Sequence, residues 1–252
     1  MREQSKIFLL LVVVLAIVIG YAVVPGEVSF GKFSLKKINL TQLREADKTD
    51  SVALAKRKEK KLYRRNQTFL FIGDSMVEGL SRRLGDYAGA NGHKLYTVIW
   101  YGSTTEKWAN SQTIEHFIKQ YKPTYILLCL GSNELFINDL DAREANIKAI
   151  VAKLGNYPYV WISPASWNGD TGIINLMKKH TRQGCFFDSR GLKLKRGPDR
   201  YHPTWKAAAL WLNKVAVFMG SSKAAYPVVL KTPKQHHKAT NTKLLQPSFK
   251  GF

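Results

Sequence analysis

Acidic residues are scarce in this chain: 18 Asp and Glu stand against 39 Lys and Arg, a formal charge of +21 over 252 residues. Cysteine is scarcer still, with only Cys129 and Cys185. Each lies in or beside an apolar run, so two buried thiols are the simplest reading. A bridge between neighbouring strands would demand favourable Cβ geometry. Two cysteines are compatible with an oxidising compartment without requiring one. The core lacks the clustered His/Cys/Asp spacing of a zinc site, so no metal is expected. No nucleic-acid motif accompanies the basic residues, which argues against nucleic acid as a partner. Internal repeats are absent. Nor does a clear small-x-small cleavage site follow the one long apolar run.

That run, residues 7–24, is IFLLLVVVLAIVIGYAVV, uncharged and preceded by Arg2 and Lys6. Its length just suffices to span a bilayer. Residues 1–24 are therefore expected to be an uncleaved signal anchor, with a cleaved signal and a secreted chain as the alternative. Basic residues lie on both sides, so the positive-inside rule orients it weakly. The working topology exports the long domain. The charge sits mostly outside the expected core. Residues 25–66 hold 12 basic and 5 acidic residues, residues 67–222 hold 19 and 12, and residues 223–252 hold 6 and none. This pattern fits a basic stalk over 25–66, a folded domain over 67–222 and a disordered basic tail over 223–252. An anionic membrane surface or an envelope polymer is the expected neighbour.

From Thr68 the pattern changes. TFLFIG, HKLYTVIWYG, PTYILLCLGS, YVWISP and CFFD read as five strands, and the segments between them carry helical spacing. Helices are expected near 75–92, 106–121, 140–154, 172–182 and 204–220. The alternation argues for a five-stranded parallel sheet covered on both faces, an α/β fold. Ligand sites in such sheets lie at the carboxyl ends of the strands.

Those ends carry small polar clusters: Ile72-Gly73-Asp74-Ser75, Tyr101-Gly102-Ser103-Thr104 and Gly131-Ser132-Asn133-Glu134. A fourth, Asp199-Arg200-Tyr201-His202-Pro203-Thr204, precedes the last helix. A serine at a helix N-terminus sits among free N–H groups and the positive end of the dipole. His202 is the one core histidine beside an acid in a loop, and Asp199 lies three residues before it. A turn would let that carboxylate hold the imidazole. The amides of Ser75 and Gly102 and the side chain of Asn133 are the expected oxyanion donors.

In these residues the chain resembles the SGNH (GDSL-like) hydrolase superfamily. Gly73-Asp74-Ser75 is similar to its nucleophile block, Gly102 to its second-block glycine, Gly131-Ser132-Asn133 to its G-x-N block and Asp199–His202 to its D-x-x-H block. The order agrees across residues 69–205. Met76 stands where Leu is usual, and Glu134 where Asp is commoner. The resemblance implies a three-layer α/β/α, flavodoxin-like fold and esterase or acyl-transfer chemistry without a cofactor. It assigns Ser75 as nucleophile, His202 as base and Asp199 as its orienter. Asp74 is expected to cap the following helix.

Of the six tryptophans, Trp100, Trp161, Trp205 and Trp211 read as core. Trp108 and Trp167 follow strand ends on the expected active-site side, where they and Arg200 are candidates for substrate contact. His93, His116 and His180 are expected at the surface, and the pair His236 and His237 solvated in the tail. The function expected is removal of a small acyl group, acetyl above all, from an envelope glycan. The alternatives are O-acyl transfer to a glycan hydroxyl, a lipid esterase or lysophospholipase, and a non-catalytic envelope binding module. A membrane-bound O-acyltransferase is the partner that the transfer reading would bring.

Overall fold

The structure is a computed structural model that describes residues 2–23, 28–30, 33–35, 66–236 and 241–252. The chain forms two compact units, Met1–Val52 and Ala53–Phe252. In the first, helix α1 (Arg2–Val23) precedes an antiparallel hairpin of β1 (Val28–Phe30) and β2 (Phe33–Leu35). The apolar side chains from Ile7 to Leu15 of α1 are 46–70% exposed. Among the described residues no helix is long and apolar enough to cross a membrane. The transmembrane helix expected over residues 7–24 is not found among the described residues. Val24 and the side chains at 17, 19–20 and 22–23 lie outside them. Of the expected stalk, only the hairpin and Asn66 fall within the described residues.

The second unit holds a six-stranded sheet of β3 (Thr68–Gly73), β4 (Lys94–Trp100), β5 (Tyr125–Cys129), β6 (Tyr159–Ile162), β7 (Phe186–Phe187) and β8 (Asn241–Leu245). The order is β7-β6-β5-β3-β4-β8, and every neighbouring pair is parallel. Alternation along the strands sends side chains to two separate cores. Phe69, Phe71, Leu127, Cys129, Val160 and Ile162 enter one core. Leu70, Ile72, Ile126, Leu128, Tyr159 and Trp161 enter the other. Both faces are apolar, which is why the strands read as continuous hydrophobic runs. The first core is closed by α2 (Met76–Ala90) and α7 (Trp205–Met219), through Val77, Leu80, Leu84, Trp211 and Val215. The second is closed by α3 (Thr105–Ala109), α4 (Thr113–Tyr121), α5 (Leu140–Lys153) and α6 (Ile173–His180). The result is three layers. Cys129 and Cys185 belong to opposite cores, are buried and form no disulfide with each other.

Two expectations for this unit need correction. The single helix expected over 106–121 is two, α3 and α4. Ser111 Oγ donates to the Lys107 carbonyl at 2.7 Å, and the Gln112 N–H leaves the helical ladder to donate to the Phe252 carbonyl at 2.8 Å. The tail expected to be disordered over 223–252 supplies the sixth strand. β8 pairs with β4 from Tyr96↔Asn241 to Trp100↔Leu245. Leu245 is buried, Phe249 lies edge-on to Trp100 at 5.1 Å, and Phe252 stacks on His116 at 3.6 Å. Upstream, Ala224 and Val228 are buried, and the Val228 N–H donates to the Met219 carbonyl at 2.8 Å.

Candidate active site

Omitting β8, the sheet order is β7-β6-β5-β3-β4, so the side on which successive strands are added switches between β3 and β5, although the two run parallel. A crevice opens at the carboxyl ends of such a pair. β3 ends at Gly73, which runs so close to β5 that an added Cβ would lie 2.0 Å from the Cys129 carbonyl oxygen and 2.6 Å from Val77 Cγ2. The chain turns directly into α2. Asp74, fully buried, ties this turn down: Oδ1 accepts the Met76 N–H at 3.0 Å, while Oδ2 accepts the Ser132 N–H at 3.1 Å and the Ser132 hydroxyl. Burial pushes the Asp74 carboxyl above the usual range, against the pull of those hydrogen bonds. Asp74 therefore joins the end of β3 to the end of β5 as well as capping α2. Ser75 is left at the helix N-terminus, partly exposed.

Opposite it stands a tight loop. The Thr204 N–H donates to the Lys195 carbonyl at 2.9 Å, and the Gly197 N–H donates to the His202 carbonyl at 2.8 Å. Arg200 takes a left-handed φ of 65° to complete the turn. Asp199 Oδ1 accepts the N–H groups of Tyr201 and His202, each at 3.0 Å. Its other oxygen, Oδ2, lies 2.6 Å from His202 Nδ1, and His202 Nε2 lies 2.8 Å from Ser75 Oγ. The hydrogen bond to His202 holds the Asp199 carboxyl below the usual range, helped by the two amides. An ionised carboxylate only accepts, so Nδ1 carries the proton and the Nε2 lone pair faces the serine hydroxyl.

The remaining strand ends meet here too. Asn133 Nδ2 donates to the Ser103 carbonyl at 2.9 Å, which leaves its second N–H available. Gly102, at φ 60°, forms the turn after β4. Among the described residues neither the Ser75 nor the Gly102 N–H is engaged in a hydrogen bond. Glu134 is buried: its carboxylate accepts the Thr105 N–H at 2.6 Å, the Thr105 hydroxyl at 2.9 Å and Arg143 Nη1 at 3.1 Å. This acid thus fastens the loop after β5 to the start of α3. Burial raises its pKa against those three partners.

No family model matches this chain, and no curated protein does. Among solved structures it is similar to the lipase/acylhydrolase from Enterococcus faecalis, over 67% of this chain and 99% of that one, at 16% identity and a TM-score of 0.46. The chemistry of the site stands on its own geometry.

A cleft of about 270 Å³ opens in front of Ser75, lined by Met76, Glu78, Gly79, Tyr101, Asp199, His202, Pro203 and Trp205. None of the three expected substrate contacts lines it. Trp108 is fully buried beside Trp100, and its Nε1 donates to Ser103 Oγ at 2.9 Å, because α3 folds it under the β4 turn. It supports the loop that holds Asn133. Trp167 is half-buried, edge-on to Phe136 at 6.0 Å and to Tyr201 at 5.5 Å. Arg200 is exposed at the turn and its backbone, not its side chain, shapes the loop. Trp205, expected in the core, is 52% exposed and forms a wall of the cleft. It is the first residue of α7, two positions before the buried run begins at Ala207 and six before Trp211. Glu78, one turn after Ser75, accepts from the Tyr101 hydroxyl at 3.0 Å. Arg196 donates to the Tyr201 and Ala165 carbonyls and lies 5.4 Å over the Trp167 ring, bracing the Asp199–His202 turn. None of these carried a sequence signal beyond helical phase.

The other histidines are less exposed than expected. His93 Nδ1 accepts the Gln67 N–H at 3.0 Å, His116 packs on Phe252, and His180 pairs with Glu144. His236 remains exposed, 3.1 Å from Asp86, and His237 lies outside the described residues. Among the described residues no three His, Cys, Asp or Glu side chains converge as a metal site.

Proposed function

We propose that this chain is a serine esterase that removes a small acyl group, acetyl above all, from an ester on an envelope glycan. One observation carries the reading: the unbroken contact from Asp199 through His202 to Ser75, at 2.6 and 2.8 Å. Ser75 Oγ attacks the ester carbonyl while His202 Nε2 takes its proton, and Asp199 stabilises the imidazolium. The carbonyl oxygen gathers negative charge and is met by the Ser75 and Gly102 amides and the free N–H of Asn133. Collapse expels the alcohol, which takes the proton from His202 and leaves an acyl-serine. Water, deprotonated by the same imidazole, then releases the acid and restores the hydroxyl.

The space directly in front of Ser75, about 270 Å³, supports a short acyl group at the scissile ester. Its polar wall of Glu78 and Tyr101 points the same way. The apolar run of α1 supports placement at a membrane with the folded unit outside the cytoplasm. The test is covalent. Ser75 should be labelled by a fluorophosphonate, and Ser75→Ala should lose the label and lower kcat on an aryl acetate by several orders of magnitude. A folded Ser75→Ala protein with parental turnover would reject the assignment.

A further inference from the structure

The cleft does not end at Trp205. A second cavity, about 490 Å³, is lined by Gly79, Arg82, Arg83, Asp86, Trp205, Ala209 and His236. The two cavities share Gly79 and Trp205. Positions 75, 79, 82, 83 and 86 recur at helical spacing, so one face of α2 lines the whole path from the serine outward. The opposite wall is the first turns of α7. At Gly79 the helices nearly touch, for an added Cβ would lie 2.8 Å from Ala208 Cβ. Seven residues of helix separate Ser75 from Arg82, roughly 10 Å along the axis.

The charges along this groove are unevenly matched. Arg83 is occupied by Asp86 at 3.2 Å and by Asn213 at 2.9 Å, and Asp86 also meets His236. Glu78, beside the serine, is held by Tyr101. Arg82 has no acidic partner among the described residues, and its guanidinium carbon lies 3.8 Å from the centre of the Trp205 ring. That contact holds the guanidinium against the ring and leaves N–H donors for a carboxylate or phosphate, which can take two parallel hydrogen bonds from one guanidinium.

We infer that Arg82, held by Trp205, is a specificity residue that binds an anionic group of the ester substrate roughly 10 Å from the scissile carbonyl. The substrate class is then an acidic polymer, and Glu78 keeps the negative charge away from the reacting centre itself. The inference rests on the esterase reading, but its test does not share that reading's fate.

Acetate release by the full-length protein is compared on acetylated tetragalacturonate, its neutral methyl-esterified counterpart and an acetylated glycerol-phosphate trimer. Arg82→Gln should lower the ratio of kcat/KM for an anionic over the neutral substrate about tenfold or more. Lys119→Gln, which removes one charge from exposed α4, should leave that ratio in place. Loss of preference for the carboxylate alone, or for the phosphate alone, identifies the anion. An Arg82→Gln ratio equal to that of the parent, or one matched by Lys119→Gln, overturns the assignment. If the parent turns over none of these esters, the esterase reading fails and calorimetry decides the subsite. Unacetylated tetragalacturonate or glycerol-phosphate trimer should then bind the parent and not Arg82→Gln, and equal binding by both overturns it.

Discussion

Asp199 and Asn133 illustrate how differently two side chains at one site can act. The Asp199 carboxyl is held below its usual range by His202, so it remains ionised while the imidazole takes up a proton. A depressed carboxylate favours the folded state above its unfolded pKa, and that favour is lost only as pH falls through the lower folded value. Asp199→Asn presents an amide to Nδ1 and selects the wrong tautomer. We expect kcat on an aryl acetate to fall by roughly 10³–10⁴ with the fold retained, and a loss of less than tenfold would reject the role. Asn133→Ala removes an oxyanion donor. It should lower kcat about 10²–10³-fold, or roughly 2.7–4 kcal/mol, with KM nearly unchanged. Thermal stability should shift by only about 1 kcal/mol for the lost bond to Ser103. A destabilised but fully active variant would mean that Asn133 merely closes a turn. At this scale the polar strand ends were legible, because small polar residues after apolar runs leave few other readings. Trp205 and Arg82 were not, since their stacking depends on where α7 starts relative to α2, a tertiary fact without local periodicity.

The elements of the central sheet were legible for a simple reason. Strands buried on both faces are continuous apolar runs, and TFLFIG and YILLC leave little choice. β8 is the counterexample. NTKLL sits at an edge, with four of its five residues exposed, so no such run marks it. What anchors it is Leu245 and the aromatic contacts beyond it. Leu245→Ala should destabilise the second unit by about 2–4 kcal/mol, read as a lowered urea midpoint at unchanged slope. A change below about 0.5 kcal/mol would mean that the strand contributes nothing to the fold. The helix expected over 106–121 failed for the same cause, because the residue that breaks it, Gln112, bonds to Phe252 from the far end of the chain.

For the whole molecule, composition misjudged the basic tail, whose lysines alternate with residues that pack. The proposed placement at a membrane rests on α1. Full-length protein should stay with membranes through an alkaline carbonate wash, and a chain lacking residues 1–24 should be released. Full-length protein found in the wash would reject the anchor. The topology of β8 also has a consequence during synthesis. Its partner β4 is complete some 140 residues earlier. Until Leu245 has left the ribosome, β4 is an open edge and Trp100 lacks its cover from Phe249. Such an edge recruits other strands. A nascent chain of this protein therefore carries an unpaired strand edge from the completion of β4 until β8 emerges.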